Sequence, residues 1–175
     1  MLKFTKMEGI GNDYIYIDGI HQDVPMNPHF ITKISDRHFG IGSDGVIVIQ
    51  ESEICDFKMR MFNLDGSEGK MCGNGIRCFA KFVYDHQLTK KTYLEIETLG
   101  GIKKVWLIID NNKVQYVRVN MGQPILKSKE IPCLFDKEEM INEPIEVDGQ
   151  VYYLTSLSMG NPHTVIYMNH LDFNI

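Results

Sequence analysis

Cysteine is scarce in this chain and never closely paired. Cys55, Cys72, Cys78 and Cys133 form no C-x-x-C spacing, and no histidine adjoins the C-x5-C of Cys72 and Cys78. Structural zinc and thioredoxin-type redox chemistry are therefore not expected. Positive charge is short as well: 18 Lys and Arg against 23 Asp and Glu leave a net charge of −5. The lysines fall in dispersed pairs such as Lys90-Lys91 and Lys103-Lys104 rather than one stripe. A nucleic-acid partner is not expected. No apolar stretch approaches the roughly 20 residues that span a bilayer. Nothing near Met1 resembles a charged segment followed by an apolar one, so a reducing, cytoplasmic setting is expected. No G-x-x-x-x-G-K-[ST] loop occurs, which leaves nucleotide hydrolysis without support. What is present suffices for a packed core, with 43% apolar and 23% charged residues.

Periodicity divides the chain. Lys3 to Asp18 reads as two strands about a turn at Gly11-Asn12-Asp13, which puts Asn12 at a loop tip. Asn27-Pro28 is a helix start, and the helix is expected to run to about His38. Val46 to Ile49 reads as a buried strand. Asp56 to Asn63 alternates Phe57, Met59 and Met61 with Lys58 and Arg60, the period of a half-buried strand, and Asp65-Gly66 supplies a turn. Ile76, Phe79, Ala80 and Val83 then recur at helical steps until Leu88. After Thr92 three strands follow, over Tyr93 to Glu97, Lys103 to Ile109 and Val114 to Val119, joined by short turns as an antiparallel meander. Gly122-Gln123-Pro124 is the candidate boundary. Beyond it the chain is again mostly strand, with one short helical candidate around Lys137 to Ile141. That segment has apolar strands and no substantial helix to cover them, so it reads as the beginning of something larger.

Cys72 carries the chemistry. It stands at the N-terminus of the helix and is followed by Gly73-Asn74-Gly75. Free N–H groups and the positive end of the helix dipole favour negative charge there, whether a thiolate, a substrate carboxylate or both. The alternative is a thiol packed as a small hydrophobe. Cys78 lies six residues up the helix, about 9 Å away at 1.5 Å per residue and on another face, which assigns it to packing. Gly40-Ile41-Gly42-Ser43-Asp44-Gly45 matches G-x-G-x-x-G, but a helix precedes it and a strand follows, the reverse of a dinucleotide-binding turn. Among six histidines, His38 and His163 adjoin glycine-bearing loops and are the candidates for a Cys-His nucleophilic pair in a hydrolase. A thiolate acting as base is the stronger reading. Asn12, Asn63, Asn74 and Asn161 all fall at loop ends, where amides could hold a polar zwitterion. Gly11-Asn12 and Gly160-Asn161 each open an apolar strand, an echo that suggests an internal repeat. In register, a counterpart of Cys72 would fall past Ile175.

At these residues the chain resembles the diaminopimelate epimerases. Asn63-x-Asp65-Gly66-Ser67-x4-Cys72-Gly73-Asn74-Gly75-x-Arg77 is similar to that family's signature, as are Gly9-x-Gly11-Asn12-Asp13 and Ser158-Met159-Gly160-Asn161-Pro162-His163. The resemblance implies an α/β (α+β) fold of two pseudo-symmetric halves, each a curved, mostly antiparallel or mixed sheet around a central helix. Residues 1–120 would be the first half and 121–175 the incomplete beginning of the second. It implies a cofactor-independent isomerase that inverts an amino-acid α-carbon with two cysteines. Cys72 would be one of them, Gly73 and Asn74 would offer donors to the carboxylate, and Asn12, Asn63 and Asn161 would bind diaminopimelate. His163 would lie behind them. The second cysteine, a further asparagine and a Glu-Arg pair are missing from these 175 residues, which implies a chain that is inactive alone. A related racemase and a non-catalytic module that associates with a second copy or a complementing fragment are the rival readings. Cys72 should be the most reactive of the four thiols. Limiting alkylation followed by mass-spectrometric mapping should label Cys72 first, and earlier labelling of Cys55, Cys78 or Cys133 would refute the helix-terminus argument.

Overall fold

The two opening strands, β1 (Thr5–Gly9) and β2 (Asn12–Asp18), pair antiparallel from Gly9↔Asn12 to Thr5↔Tyr16 in a computed structural model that describes residues 1–168 and 170. Ile10 and Gly11 form the turn at φ 55° and 78°. Two positive φ values match the twist of the flanking strands, and only Gly11 adopts one without strain. The turn is thus one residue earlier than predicted, and Asn12 is the first residue of β2 instead of a loop tip. The Gly9↔Asn12 pair closes the ladder before Asn12 can enter the turn.

Helix α1 (Pro28–Ser35) starts where Asn27 caps it, its Oδ1 accepting the Phe30 N–H at 2.9 Å. It ends before His38. The Asp36 carboxylate accepts the N–H groups of His38 and Phe39 at 2.7 and 2.6 Å, a local turn that competes with another helical step. β3 (Gly45–Gln50) runs parallel to β2 and antiparallel to β4 (Phe57–Asn63). A two-residue strand the sequence did not suggest, β5 (Glu68–Gly69), adds to β4. Helix α2 (Gly73–Asp85) follows and stops at His86, short of Leu88. The meander is as expected: β6 (Tyr93–Glu97), β7 (Lys103–Asp110) and β8 (Lys113–Asn120). The eight strands form one mixed sheet in the order β1-β2-β3-β4-β6-β7-β8, with β5 beside β4.

α2 touches β1 and β2 towards one end of this sheet and β7 and β8 at the other, so the sheet curls around the helix. Its apolar stripe of Ile76, Phe79, Ala80, Phe82 and Val83 packs on Tyr16, Ile47, Met61, Ile96 and Val105. The opposite faces of β2 and β3, carrying Ile15, Ile17, Val46 and Val48, pack on Ile31 of α1. Two covered faces explain why Val46 to Ile49 is continuously apolar. β7 is covered on one face only, and its residues alternate.

The chain divides into two units, Met1–Met121 and Gly122–Ile175. The second carries β9 (Glu143–Val147), β10 (Gln150–Ser158) and β11 (Pro162–Ile166) in the antiparallel order β11-β10-β9, with one 3-10 turn at Ser128–Glu130. The helix expected around Lys137 to Ile141 does not form. Backbone groups there are committed elsewhere: Glu138 O accepts from Ser128 N, Met140 O accepts from Ser156 N, and Glu139 bridges Lys127. Ile145, Val147, Val151, Tyr153 and Ile166 remain exposed.

Ile47 has no exposed surface and lies where α2 begins. Ile47→Ala should lower the unfolding free energy by about 2–5 kcal/mol in a urea titration, through lost burial and the cavity left behind.

Candidate active site

Cys72 is the N-cap residue of α2, with extended backbone at φ −131° and ψ 116°. Its Sγ accepts the Gly75 N–H at 3.3 Å and its S–H donates to Asn12 Oδ1 at 3.2 Å. The thiol is partly buried and hydrogen-bonded on both sides. It also packs against the core beside α2. The next N–H groups, of Gly73 and Asn74, lie in the first turn, where no carbonyl within the helix accepts them. The Asn74 side chain turns along the helix, where its Oδ1 accepts from Arg77 Nη2.

Two contacts set the helix start on the sheet. The Tyr16 hydroxyl donates to Gly75 O at 3.0 Å, and its burial pushes Tyr16 far above the ordinary tyrosine range, which suits a hydroxyl that only donates. A Cβ added to Gly75 would lie 2.7 Å from Ile47 Cδ1 and 3.4 Å from Cys72 Sγ. Glycine at 75 is thus a packing requirement, because it lets the first turn rest directly on β3.

The strand period brings the remaining groups together. Asn12, Tyr14 and Tyr16 alternate onto one face of β2. The register places Tyr14, Gly45 and Asn63 in one row across β2, β3 and β4, and Tyr16, Ile47 and Met61 in the next. Asn12 and Asn63 therefore share the end and face of the sheet on which α2 begins. Asn63 Nδ2 donates to Ser67 Oγ at 3.0 Å, inside the turn that Asp65 Oδ1 closes by accepting Ser67 N–H at 2.9 Å. Asn161 belongs to the second unit, in the turn between β10 and β11, with its Oδ1 3.1 Å from His163 Nε2. His38 does not partner the thiol; its backbone is held by Asp36 on the loop after α1. Cys78 is buried, donates to Glu8 O at 3.4 Å, and is pushed up by that burial. The clefts lined by Gly19, Gln50 and Lys58, and by Leu2, Phe4 and Phe82, do not include Cys72.

Four residues of the site were not singled out in the linear sequence. Tyr14 is buried beside Cys72 and Asn12; burial first, then the neighbouring sulfur, pushes it up to about 12. Tyr14 and Tyr16 follow from the alternation after Asn12, once β2 is known to begin there. Asp44 and Arg37 do not. Asp44 Oδ2 accepts from Asn12 Nδ2 at 2.7 Å and from Asp13 N at 3.2 Å. Arg37 Nη2 donates to Asp44 Oδ1 at 2.8 Å and to Asp13 Oδ1 at 2.7 Å. Lys6 completes the cluster, 3.1 Å from Asp13 Oδ2. These contacts depend on the parallel pairing of β2 with β3, across 32 positions.

The first unit is a curled mixed sheet around one helix with a thiol at its N-cap. Solved structures agree at the level of fold: a hydroxyproline epimerase from Agrobacterium vitis superposes with a TM-score of 0.69 at 12% identity, over 94% of this chain and 51% of that one. A probable proline racemase from Agrobacterium radiobacter gives 0.71 at 10% identity, over 95% and 52%. The diaminopimelate epimerase family profile matches residues 4–127. A diaminopimelate epimerase from Methanococcus maripaludis is 55% identical over 172 residues, covering 98% of this chain and 62% of the relative. One from Acetivibrio thermocellus is 51% identical, over 98% and 61%. The chain belongs to the diaminopimelate epimerase family. It spans about three fifths of the length of these relatives.

The Arg37 guanidinium, with Lys6 beside it, holds Asp13 down at about 2 against desolvation. Because the folded carboxyl is more acidic than the unfolded one, its stabilisation is complete above about pH 4 and is lost as pH falls towards 2. Asp13→Asn should be less stable than the parent at neutral pH, and the gap should close over that window in denaturant titrations at stepped pH.

Proposed function

We propose that this chain carries one catalytic half of a cofactor-independent epimerase that converts LL-diaminopimelate to the meso form, a step towards lysine and peptidoglycan precursors. One observation carries the reading: Cys72 holds its sulfur between the Gly75 N–H and the Asn12 amide, at 3.3 and 3.2 Å, in a chain 55% identical to a diaminopimelate epimerase. Inverting an α-carbon requires a proton to leave one face and another to arrive on the opposite face. Two bases are needed. A sulfur that accepts one hydrogen bond and donates another can serve either role with little rearrangement. The Gly73 and Asn74 N–H groups, aimed from the helix start, suit the substrate carboxylate and the charge that spreads onto it as the α-proton leaves. Asn12 and Asn63 would bind the zwitterion from the sheet side, and Asn161, in the second unit, is a further candidate substrate ligand. No cofactor is needed in this scheme.

Within the first unit the other cysteines are unsuited to be the second base. Cys78 is buried against Glu8 O, and burial with the neighbouring Glu95, Glu97 and Asp56 pushes Cys55 up. The opposite face is therefore assigned to a second half, of which residues 121–175 are the beginning. The four cysteines are free, which fits a cytoplasmic setting, and a second copy or a complementing segment is the expected partner. A racemase of the same fold acting on another amino acid is the second reading, motivated by the hydroxyproline epimerase neighbour. A substrate panel separates the two.

With Cys72 as its only active thiol, the chain should not epimerise diaminopimelate at a rate typical of whole epimerases. Solvent-deuterium incorporation with racemisation by the purified 175-residue chain would overturn that expectation. A fusion to the remaining C-terminal part of the Methanococcus maripaludis relative should epimerise, and Cys72→Ala should abolish it. A folded fusion that inverts other amino acids but not diaminopimelate would favour the second reading.

A further inference from the structure

Asp44 sits at the approach to β3 and reaches Asn12 across the parallel pairing of β2 with β3. An ionised carboxylate can only accept hydrogen bonds, whereas a carboxamide donates from one end and accepts at the other. Asp44 Oδ2, 2.7 Å from Asn12, therefore requires the Asn12 nitrogen to face it, and that choice leaves the Asn12 oxygen 3.2 Å from Cys72 Sγ. Only the protonated thiol can donate to that oxygen. The opposite orientation would point an N–H at sulfur and favour the thiolate.

We propose that Asp44 is a positioning residue for Cys72, setting the Asn12 amide so that its oxygen, not its nitrogen, faces the thiol. Arg37 braces it: Nη2 bridges Asp44 Oδ1 at 2.8 Å and Asp13 Oδ1 at 2.7 Å, and Asp13 N–H donates to Asp44 Oδ2 at 3.2 Å. With both oxygens engaged, the carboxylate cannot rotate freely. The charged and titratable groups around it are Asp13 and Lys6 on the hairpin, Arg37 on the loop after α1, Tyr14 on β2 and Cys72 at the start of α2. The Arg37 side chain is about half exposed, at 53%, so the ion pairs are assigned to geometry more than to stability.

The inference rests on Cys72 being the reacting thiol, and its test does not use turnover. The rate of Cys72 alkylation by iodoacetamide is followed against pH in the 175-residue chain, with peptide mapping to assign the label. In Asp44→Asn, where the new amide can accept from or donate to Asn12, the pH of half-maximal reactivity should fall by roughly half a unit or more, the scale of one lost hydrogen bond to the neutral form. Below the midpoint, labelling should then be about threefold faster or more. Asn12→Ala should produce a similar fall. In the double variant, Asp44→Asn should add less than half of its single effect, because its influence passes through Asn12. An unchanged midpoint in either single variant, or an undiminished shift in the double variant, overturns the proposal. If Asp44→Asn fails to fold, as judged by circular dichroism, Asp44→Ser is used with the same expectations. Earlier labelling of a different cysteine in the parent would instead refute the epimerase reading.

Discussion

The site depends on how the first turn of α2 rests on β2 and β3. Tyr16 donates its hydroxyl to Gly75 O from within the core, and Ile47 lies directly beneath Gly75, where no side chain intervenes. A buried hydroxyl without that acceptor would lose a hydrogen bond that water cannot replace, so the contact discriminates strongly against a shifted helix. Cys72 is one residue outside this turn. Its reach to Asn12 on the same strand as Tyr16 is therefore set by the packing of the helix, not by its own loop.

Burial on both faces gives β2 and β3 the rigidity this arrangement needs. α2 covers one side and Ile31 of α1 the other, while the reactive groups stand at the strand ends, where the core gives way to polar side chains. The Lys6, Asp13, Arg37 and Asp44 cluster occupies that border. Apart from the contribution of Asp13, its pairs are partly exposed and act chiefly by orienting the hydrogen-bonding groups behind them. Precision at Cys72 thus comes from an apolar floor below and an ion-paired frame beside it.

The second unit repeats one element of the first. The β1–β2 turn holds Gly11 and the β10–β11 loop holds Gly160, each at a positive φ, 78° and 103°, and each followed by an asparagine, Asn12 in β2 and Asn161 in the loop. The apolar residues exposed on β9 to β11 have no equivalent of α2 against them among the described residues.

Much was legible in the linear chain where the physics is local. The α2 stripe, the Asn27-Pro28 start, the alternation of β4 and the meander of β6 to β8 follow from side-chain period and turn chemistry. So does the position of Cys72 at a helix terminus. Errors fell where local preference was overruled: α1 stopped early at the Asp36 turn, and the stretch around Lys137 to Ile141 was drawn into bridges with Lys127, Ser128 and Ser156. The sequence by itself determined which residue types stand at the site, Cys72 with its glycines and the loop asparagines. Tertiary structure alone decided that Asp44 and Arg37 join them, because parallel strand pairing brings together residues tens of positions apart that no period links.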